Sequence, residues 1–149
     1  MTYFKWNLFN ILDFEAIFLR LIESLCNGCK IEINETGTVL KFVPGFIRGG
    51  KIDHKCATSR AIGWYLEGVM GLLPFAKAAV TLNLHGITND DIDMSVDTIK
   101  EVTIPLLSHF GLTDGVQVQI KKRGAPPLGG GQVVFTCPTI RSLSPIHLV

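Results

Sequence analysis

The sequence predicts an α+β chain built of repeated helix-plus-small-sheet units, and three observations predict it. Apolar residues recur at three- and four-residue spacing in three stretches, short alternating apolar and polar runs follow them, and a pattern ending in glycines occurs twice. Helix and strand signals that alternate with short connections favour two sheets, each faced by helices.

The first helix is expected from Asp13 to Cys26, where Phe14, Ile17, Phe18, Leu21, Ile22 and Leu25 mark one face. Asp13 stands where an N-cap should be, and Asn27-Gly28 should end the helix. A hairpin follows: Ile31 and Ile33 alternate with Glu32 and Asn34, Glu35-Thr36-Gly37 turns, and Thr38 to Val43 returns. Pro44-Gly45 breaks it, Arg48-Gly49-Gly50 loops, and Lys51 to His54 alternates as a third strand. The second helix is expected from about Thr58 to Leu73, with Thr58 or Ser59 as cap and Ile62, Leu66, Val69 and Leu73 buried. Gly63, Gly68 and Gly71 interrupt it, each costing ~1 kcal/mol relative to alanine. Retaining them implies close packing against a neighbouring backbone or a ligand. Pro74 ends this helix, Ala79 to Leu84 forms a strand, and Gly86 to Asp93 is a polar loop. Ser95 caps a third helix running through His109, which Pro105 should kink or divide because proline lacks an amide donor and crowds the carbonyl four residues back.

After Gly111 the first pattern returns. Gly115 to Ile120 alternates as Gly28 to Ile33 does, Gly129-Gly130-Gly131 matches Gly49-Gly50, and Gln132 to Cys137 matches Lys51 to Cys56. Each copy reads helix, glycine, strand, turn, glycine run, strand, cysteine.

Composition narrows the functional classes. Lys+Arg 14 against Asp+Glu 13 leaves a formal net charge of +1, so any polyanion contact must be local. The 149 residues, 47% hydrophobic, suffice for one ordinary domain or two small units sharing a core. Cys26, Cys29, Cys56 and Cys137 are spaced too irregularly for a disulfide scaffold, which favours a reduced, intracellular chain. Met1 to Leu12 is apolar and aromatic, but Lys5, Asn7 and Asn10 interrupt it and it lacks a small-residue cleavage site. No uncharged run approaches the ~18 residues of a membrane span, so a soluble protein is expected.

Chemistry-bearing residues are sparse. Cys26 and Cys29 have metal-site spacing and His54 and Cys56 could complete a set, but no second such pair exists, and small apolar packing roles account for these cysteines. A thioredoxin-type motif should open a helix, whereas this one follows a helix. His54, His85, His109 and His147, with Asp53, Asp90, Asp91, Asp93 and Asp97, form no nucleophile–base pair by spacing. Asp90-Asp91-Ile92-Asp93 lacks calcium-loop spacing and precedes a helix, where carboxylates are favoured anyway. Both glycine runs have basic neighbours, Arg48 in one case and Lys121-Lys122-Arg123 in the other. They read equally as anion sites or as tight crossovers, and neither is a P-loop.

Several motifs occur in order: Asp13-Phe14-Glu15-Ala16, Ile31 to Thr38, Arg48-Gly49-Gly50, Gly86-Ile87-Thr88-Asn89-Asp90, Ser95-Val96-Asp97, and Lys122-Arg123-Gly124-Ala125-Pro126-Pro127 to Gly131. In them the chain resembles the RNA 3'-terminal phosphate cyclase family, and most closely its cyclase-like, ribosome-biogenesis branch. The resemblance runs from Asp13 to the end. It makes residues 13–149 a partial cyclase-like domain of about two repeat units, lacking the family's insert domain and carboxy-terminal part, behind an atypical segment, residues 1–12. In true cyclases the implied fold of repeated α/β units holds ATP and a catalytic histidine that lies beyond the stretch covered here. Where cyclases carry a glycine-and-serine turn this chain has Ala57-Thr58-Ser59-Arg60, and where they carry a nucleotide-contacting glutamine it has Glu67, whose charge would repel phosphate. Asp93-Met94-Ser95 replaces a cyclase Pro-Pro pair, while Ser95-Val96-Asp97 matches the cyclase-like branch.

The resemblance thus implies a factor without catalytic residues, cofactor or metal, acting in the nucleolus in small-subunit pre-rRNA processing beside a ribosome-assembly GTPase, with neither membrane nor DNA as partner. Arg48, Arg60, Lys121, Lys122 and Arg123 are the expected RNA or anion contacts. The alternative is an ATP-dependent RNA cyclase or a fragment of one. A partial chain should also expose apolar patches around Met1 to Leu12 and on its final strand.

Overall fold

The structure, a computed structural model, describes residues 2–5 and 11–145. Strand β1 (Thr2–Lys5) precedes helix α1 (Asp13–Leu25), so part of the segment before Asp13 is a strand. The helix is not capped by Asp13. Its first residue is Asp13, whose carboxylate accepts from the Ser59 hydroxyl at 2.8 Å, while the Glu15 carboxylate reaches back to the Leu12 amide at 2.9 Å. Nor does Asn27-Gly28 end it: Cys26 already turns extended (φ −98°, ψ 149°) to start β2 (Cys26–Asn27), and Gly28 at φ +78° turns β2 into β3 (Lys30–Ile33). The expected hairpin closes with β4 (Val39–Val43), held by Asn34 Oδ1, which accepts from the amides of Thr38 and Val39, both at 2.9 Å. Strands β1, β4 and β3 form one antiparallel sheet in that order.

At Pro44-Gly45 the chain leaves this sheet. A Cβ on Gly45 would lie 2.2 Å from the Asn27 carbonyl, a crossing only glycine allows, and it delivers β5 (Phe46–Ile47) to pair with β2. The next strand, β6 (Gly50–Lys55), opens a different sheet.

Helix α2 (Ile62–Met70) is shorter than its periodicity predicts. Thr58 and Ser59 lie outside it and do not cap it. The cap comes instead from Asp93, distant in sequence, whose carboxylate accepts from the Ala61 amide at 2.9 Å. The expected close packing is present: a Cβ on Gly63 would stand 1.8 Å from the Met94 carbonyl and one on Gly68 2.6 Å from the Phe18 ring. A 3-10 turn (Leu73–Phe75) leads to β7 (Val80–Gly86). The third helix begins as expected, with Ser95 Oγ accepting from the Thr98 amide at 3.1 Å. It runs as α3 (Val96–Thr98), a π-helical stretch (Ile99–Thr103) and α4 (Ile104–Ser108). Pro105 marks a boundary without ending the helix: it sits in the first turn of α4, and the turn before it is widened, with the Ile104 amide bonded back to the Ile99 carbonyl.

Strands β8 (Gln117–Lys122) and β9 (Gly131–Cys137) complete a four-stranded sheet in the order β6-β7-β9-β8, in which β6 and β7 are parallel and the other pairs antiparallel. The two sequence copies are therefore not equivalent units. In the first, β3 and β6 lie in separate sheets, whereas in the second β8 and β9 are neighbours. Three sheets replace the expected two, and one complete unit runs from β6 to β9 with α2 and the third helix as its crossovers.

The core lies between the four-stranded sheet and the helices. Leu21, Tyr65 and Leu66 from the helices and Leu82, Leu84 and Phe135 from the strands are fully buried. The final strand, expected to be exposed, is central in its sheet and has its inward side chains buried. Exposed apolar side chains cluster on the helical side, at Phe75, Val102, Leu106, Phe110 and Leu143, with others on strands or loops, such as Ile33, Phe46, Ile92 and Leu128. Leu12 is half-exposed, while residues 1 and 6–10 of the other expected patch lie outside the described residues.

Candidate nucleic-acid interface

Side chains along β6 to β9 alternate, so one face of the four-stranded sheet meets the helices and the other carries a polar array. Register places that array in three rows: Lys51, Thr81, Thr136, Gln117; Asp53, Asn83, Val134, Gln119; and Lys55, His85, Gln132, Lys122. Its centre is cross-linked. Gln132 Nε2 donates to Asn83 Oδ1 at 2.9 Å, Asn83 Nδ2 donates to the Asp53 carboxylate, and His85 Nε2 lies 3.3 Å from that carboxylate. These bonds, that from Asn83 above all, hold the Asp53 carboxyl below its ordinary pKa.

The last row opens into a cleft of about 410 Å³ at the carboxy-terminal ends of the parallel strands β6 and β7. Lys55, Lys122, His85, Gln132 and Thr58 line it, together with the exposed Leu128 and the backbone of Gly130 and Gly131. Such strand ends are where open α/β sheets usually hold ligands. Lys55 and Lys122 are exposed, and neither has an ion-pair partner among the described residues.

The five basic residues singled out from sequence separate into different roles. Arg60 is used internally: Nη1 donates to Asp93 Oδ1 at 2.7 Å, and the guanidinium carbon stands 4.9 Å from the Phe14 ring centre and 5.8 Å from that of Trp64. Arg123 is clamped by both oxygens of Asp97, at 2.7 and 2.8 Å. The Arg123 bonds first, and the Asn89 amide second, hold the Asp97 carboxyl well below the usual carboxylate range. Arg48 is exposed but stands before Gly50, at the opposite end of the sheet from the cleft. Of the five only Lys122 lines the cleft; Lys121, before it in sequence, is an exposed extra residue where the β8 register shifts. Sequence reasoning did not single out Lys55, His85 or Gln132 as anion contacts. The signal was present in the polar alternation of four strands, which marks a sheet with one uncovered face.

The glycine runs owe most of their composition to crossing backbones. A Cβ on Gly49 would lie 2.1 Å from the Ala78 carbonyl, and one on Gly124 would meet the Gly131 amide at 2.2 Å and the Gly86 carbonyl at 2.6 Å. Buried Thr88 ties this crossing together, donating from Oγ1 to the Gly124 carbonyl at 3.1 Å and accepting from the Gly124 amide at 3.2 Å. Within the runs Gly50 and Gly130 stand open, with nothing among the described residues within 4 Å of where a Cβ would begin.

A second concavity, about 580 Å³, lies between α1, α2 and β4 and is apolar apart from two acids. Phe18, Leu19, Leu40 and Trp64 line it beside Glu15 and Glu67. Two carboxylates on an apolar wall oppose a polyphosphate. The thiols are poorly set up as nucleophiles. Burial pushes Cys56 up to about 12 and Cys137 to about 11, and burial with the neighbouring Cys29 raises Cys26. Among the described residues, no three His, Cys, Asp or Glu side chains converge as a metal set, and no helix is long and apolar enough to cross a membrane.

A four-stranded sheet with helices on one face and a polar array with lysines at its corners on the other defines an α+β protein. Residues 11–148 match the RNA 3'-terminal phosphate cyclase family, and the chain belongs to that family. It is 51% identical over 138 residues to a probable RNA 3'-terminal phosphate cyclase-like protein of Dictyostelium discoideum, covering 92% of this chain and 37% of the relative. To the human RNA 3'-terminal phosphate cyclase-like protein it is 47% identical over 137 residues, 91% of this chain and 37% of the relative. An rRNA processing protein of Schizosaccharomyces pombe, rcl1, is 43% identical over 140 residues, 93% of this chain and 39% of that protein. The chain therefore spans between a third and two fifths of the length of these relatives.

Proposed function

We propose that the chain is a non-catalytic ribosome-biogenesis factor that contacts pre-rRNA during small-subunit processing in the nucleolus and works beside a ribosome-assembly GTPase. The observation that carries the reading is the acidic, apolar groove. Glu67 occupies the position where the family resemblance implies a nucleotide-contacting glutamine, and Glu15 stands in the same wall. ATP's phosphates would meet two negative charges there. The name of the fission-yeast relative supports a role in rRNA processing, and the cyclase-like names of the others fit a branch distinct from the cyclases.

Depletion of the protein, scored by Northern blot for small-subunit rRNA precursors and by sedimentation of pre-ribosomes, tests this. Accumulated precursors and co-sedimentation of the chain are expected. Unchanged processing would sink the proposal. Transfer of label from radioactive ATP to a histidine of the purified chain would replace it with the cyclase reading.

A further inference from the structure

We infer that the cross-strand row Lys55, His85, Gln132 and Lys122, with the cleft beside it, is a docking site for the phosphate backbone of single-stranded RNA. The inference rests on the RNA-contacting function proposed above and names the surface that function would use.

Register makes the row. Lys55 pairs with His85, His85 with Gln132, and Gln132 with Lys122, so four side chains rise from one line across the open face. Three strand spacings separate the lysines, roughly 14 Å, too far for one phosphate and suited to phosphates two nucleotides apart on an extended strand. Between them His85 and Gln132 offer hydrogen-bonding groups. The face suits RNA better than protein. A protein interface needs an apolar centre, whereas here Val134 is the apolar member of the three rows, the remaining positions are Thr, Asn, Gln, His and charged groups, and the exposed Leu128 stands outside the rows, in the lining of the cleft. Chemistry also places the site at one end of the face. Asp53 lies in the next row, so a polyanion is repelled from the middle and drawn to the end where Lys55 and Lys122 stand without carboxylates among the described ion pairs. Gly130 keeps the mouth of the cleft open, since no described atom lies within 4 Å of where its side chain would begin.

The test is fluorescence-anisotropy titration of the full chain with a 12-nucleotide single-stranded RNA over a range of salt. Lys55→Gln/Lys122→Gln should weaken binding about tenfold and reduce the log–log salt slope by about 1.4, at ~0.7 per lost phosphate contact on a single strand. Lys51→Gln, at the far end of the same face, should change affinity less than about twofold. Asp53→Asn should raise it about two- to threefold, the size expected from one screened charge one row away. All four positions are exposed, so the variants keep the fold, which circular dichroism checks. Equal affinity of the double variant and the parent overturns the site but leaves the processing role to its depletion assay. Lysine-dependent binding of a poly-glutamate peptide with no binding of RNA overturns it in favour of an acidic protein partner, and failure of the parent to bind RNA overturns it outright.

Discussion

Asp93→Ala should destabilise the protein by about 3 kcal/mol, although Asp93 is far in sequence from everything it holds. Its side chain is 4% exposed and makes two bonds, one to the Arg60 guanidinium at 2.7 Å and one to the Ala61 amide at 2.9 Å. The amide bond is a helix cap supplied from another loop, and losing a cap costs about 1 kcal/mol. The guanidinium bond is charge-assisted in a half-buried setting, for which about 2 kcal/mol is reasonable. Alanine loses both and leaves Arg60 between Phe14 and Trp64 with no counter-charge. Asp93→Asn keeps one oxygen for the Ala61 amide but turns an amide donor toward Arg60, so the guanidinium bond is lost and about 2 kcal/mol of the effect is expected. Urea unfolding followed by tryptophan fluorescence measures both. With a slope of about 2 kcal/mol per molar, the alanine midpoint falls by about 1.5 M. A shift below about 0.5 M for alanine, or equal shifts for the two variants, would refute the two-bond account.

Other positions give independent checks. Arg123→Gln removes a clamp on Asp97 that is exposed on both sides, so the melting curve should barely move and RNA affinity should change by less than about twofold, as anisotropy would read; a large loss of RNA binding would restore Arg123 as a contact. Gly124→Ala places a carbon 2.2 Å from the Gly131 amide and should cost more than about 3 kcal/mol, seen as insoluble or unfolded protein; a normal melting curve would contradict the crossing. His54 has its Nε2 buried with no partner among the described residues, and burial lowers its pKa. The unfolded chain therefore takes up the proton first, and stability should fall as pH drops through about 6.5, the unfolded value. His54→Leu should flatten that part of the stability–pH curve; an unchanged curve would locate the titration elsewhere.

Much of the fold was legible because its elements are strongly periodic. The stripe on α1, the hairpin of β3 and β4, and the strands β6 to β9 fall close to where apolar spacing puts them. The misreadings share a cause: local capping signals were outcompeted by partners distant in sequence. Asp13 binds Ser59 instead of capping its own helix, and Asp93 caps α2 in place of Thr58 or Ser59. The internal repeat misled for a similar reason. Alternation fixes which side of a strand is apolar but not which strand lies beside it, and the Gly45 crossing sends β6 to a new sheet. At the candidate interface, positive charge was visible but its pairing was not. Asp93 and Asp97 neutralise the two most conspicuous arginines, while Lys55 lay unnoticed in a strand whose partners only register reveals.

The measurement that reaches the central claim most directly is ultraviolet cross-linking of the chain to RNA in living cells, with the cross-linked RNA sequenced and the cross-linked peptides mapped. The account predicts reads concentrated in the small-subunit rRNA precursor and cross-links on β6, β8 and the start of β9, around Lys55, Lys122 and Gln132. Reads no richer in pre-rRNA than a control, or cross-links confined to the helical side of the sheet, would contradict it.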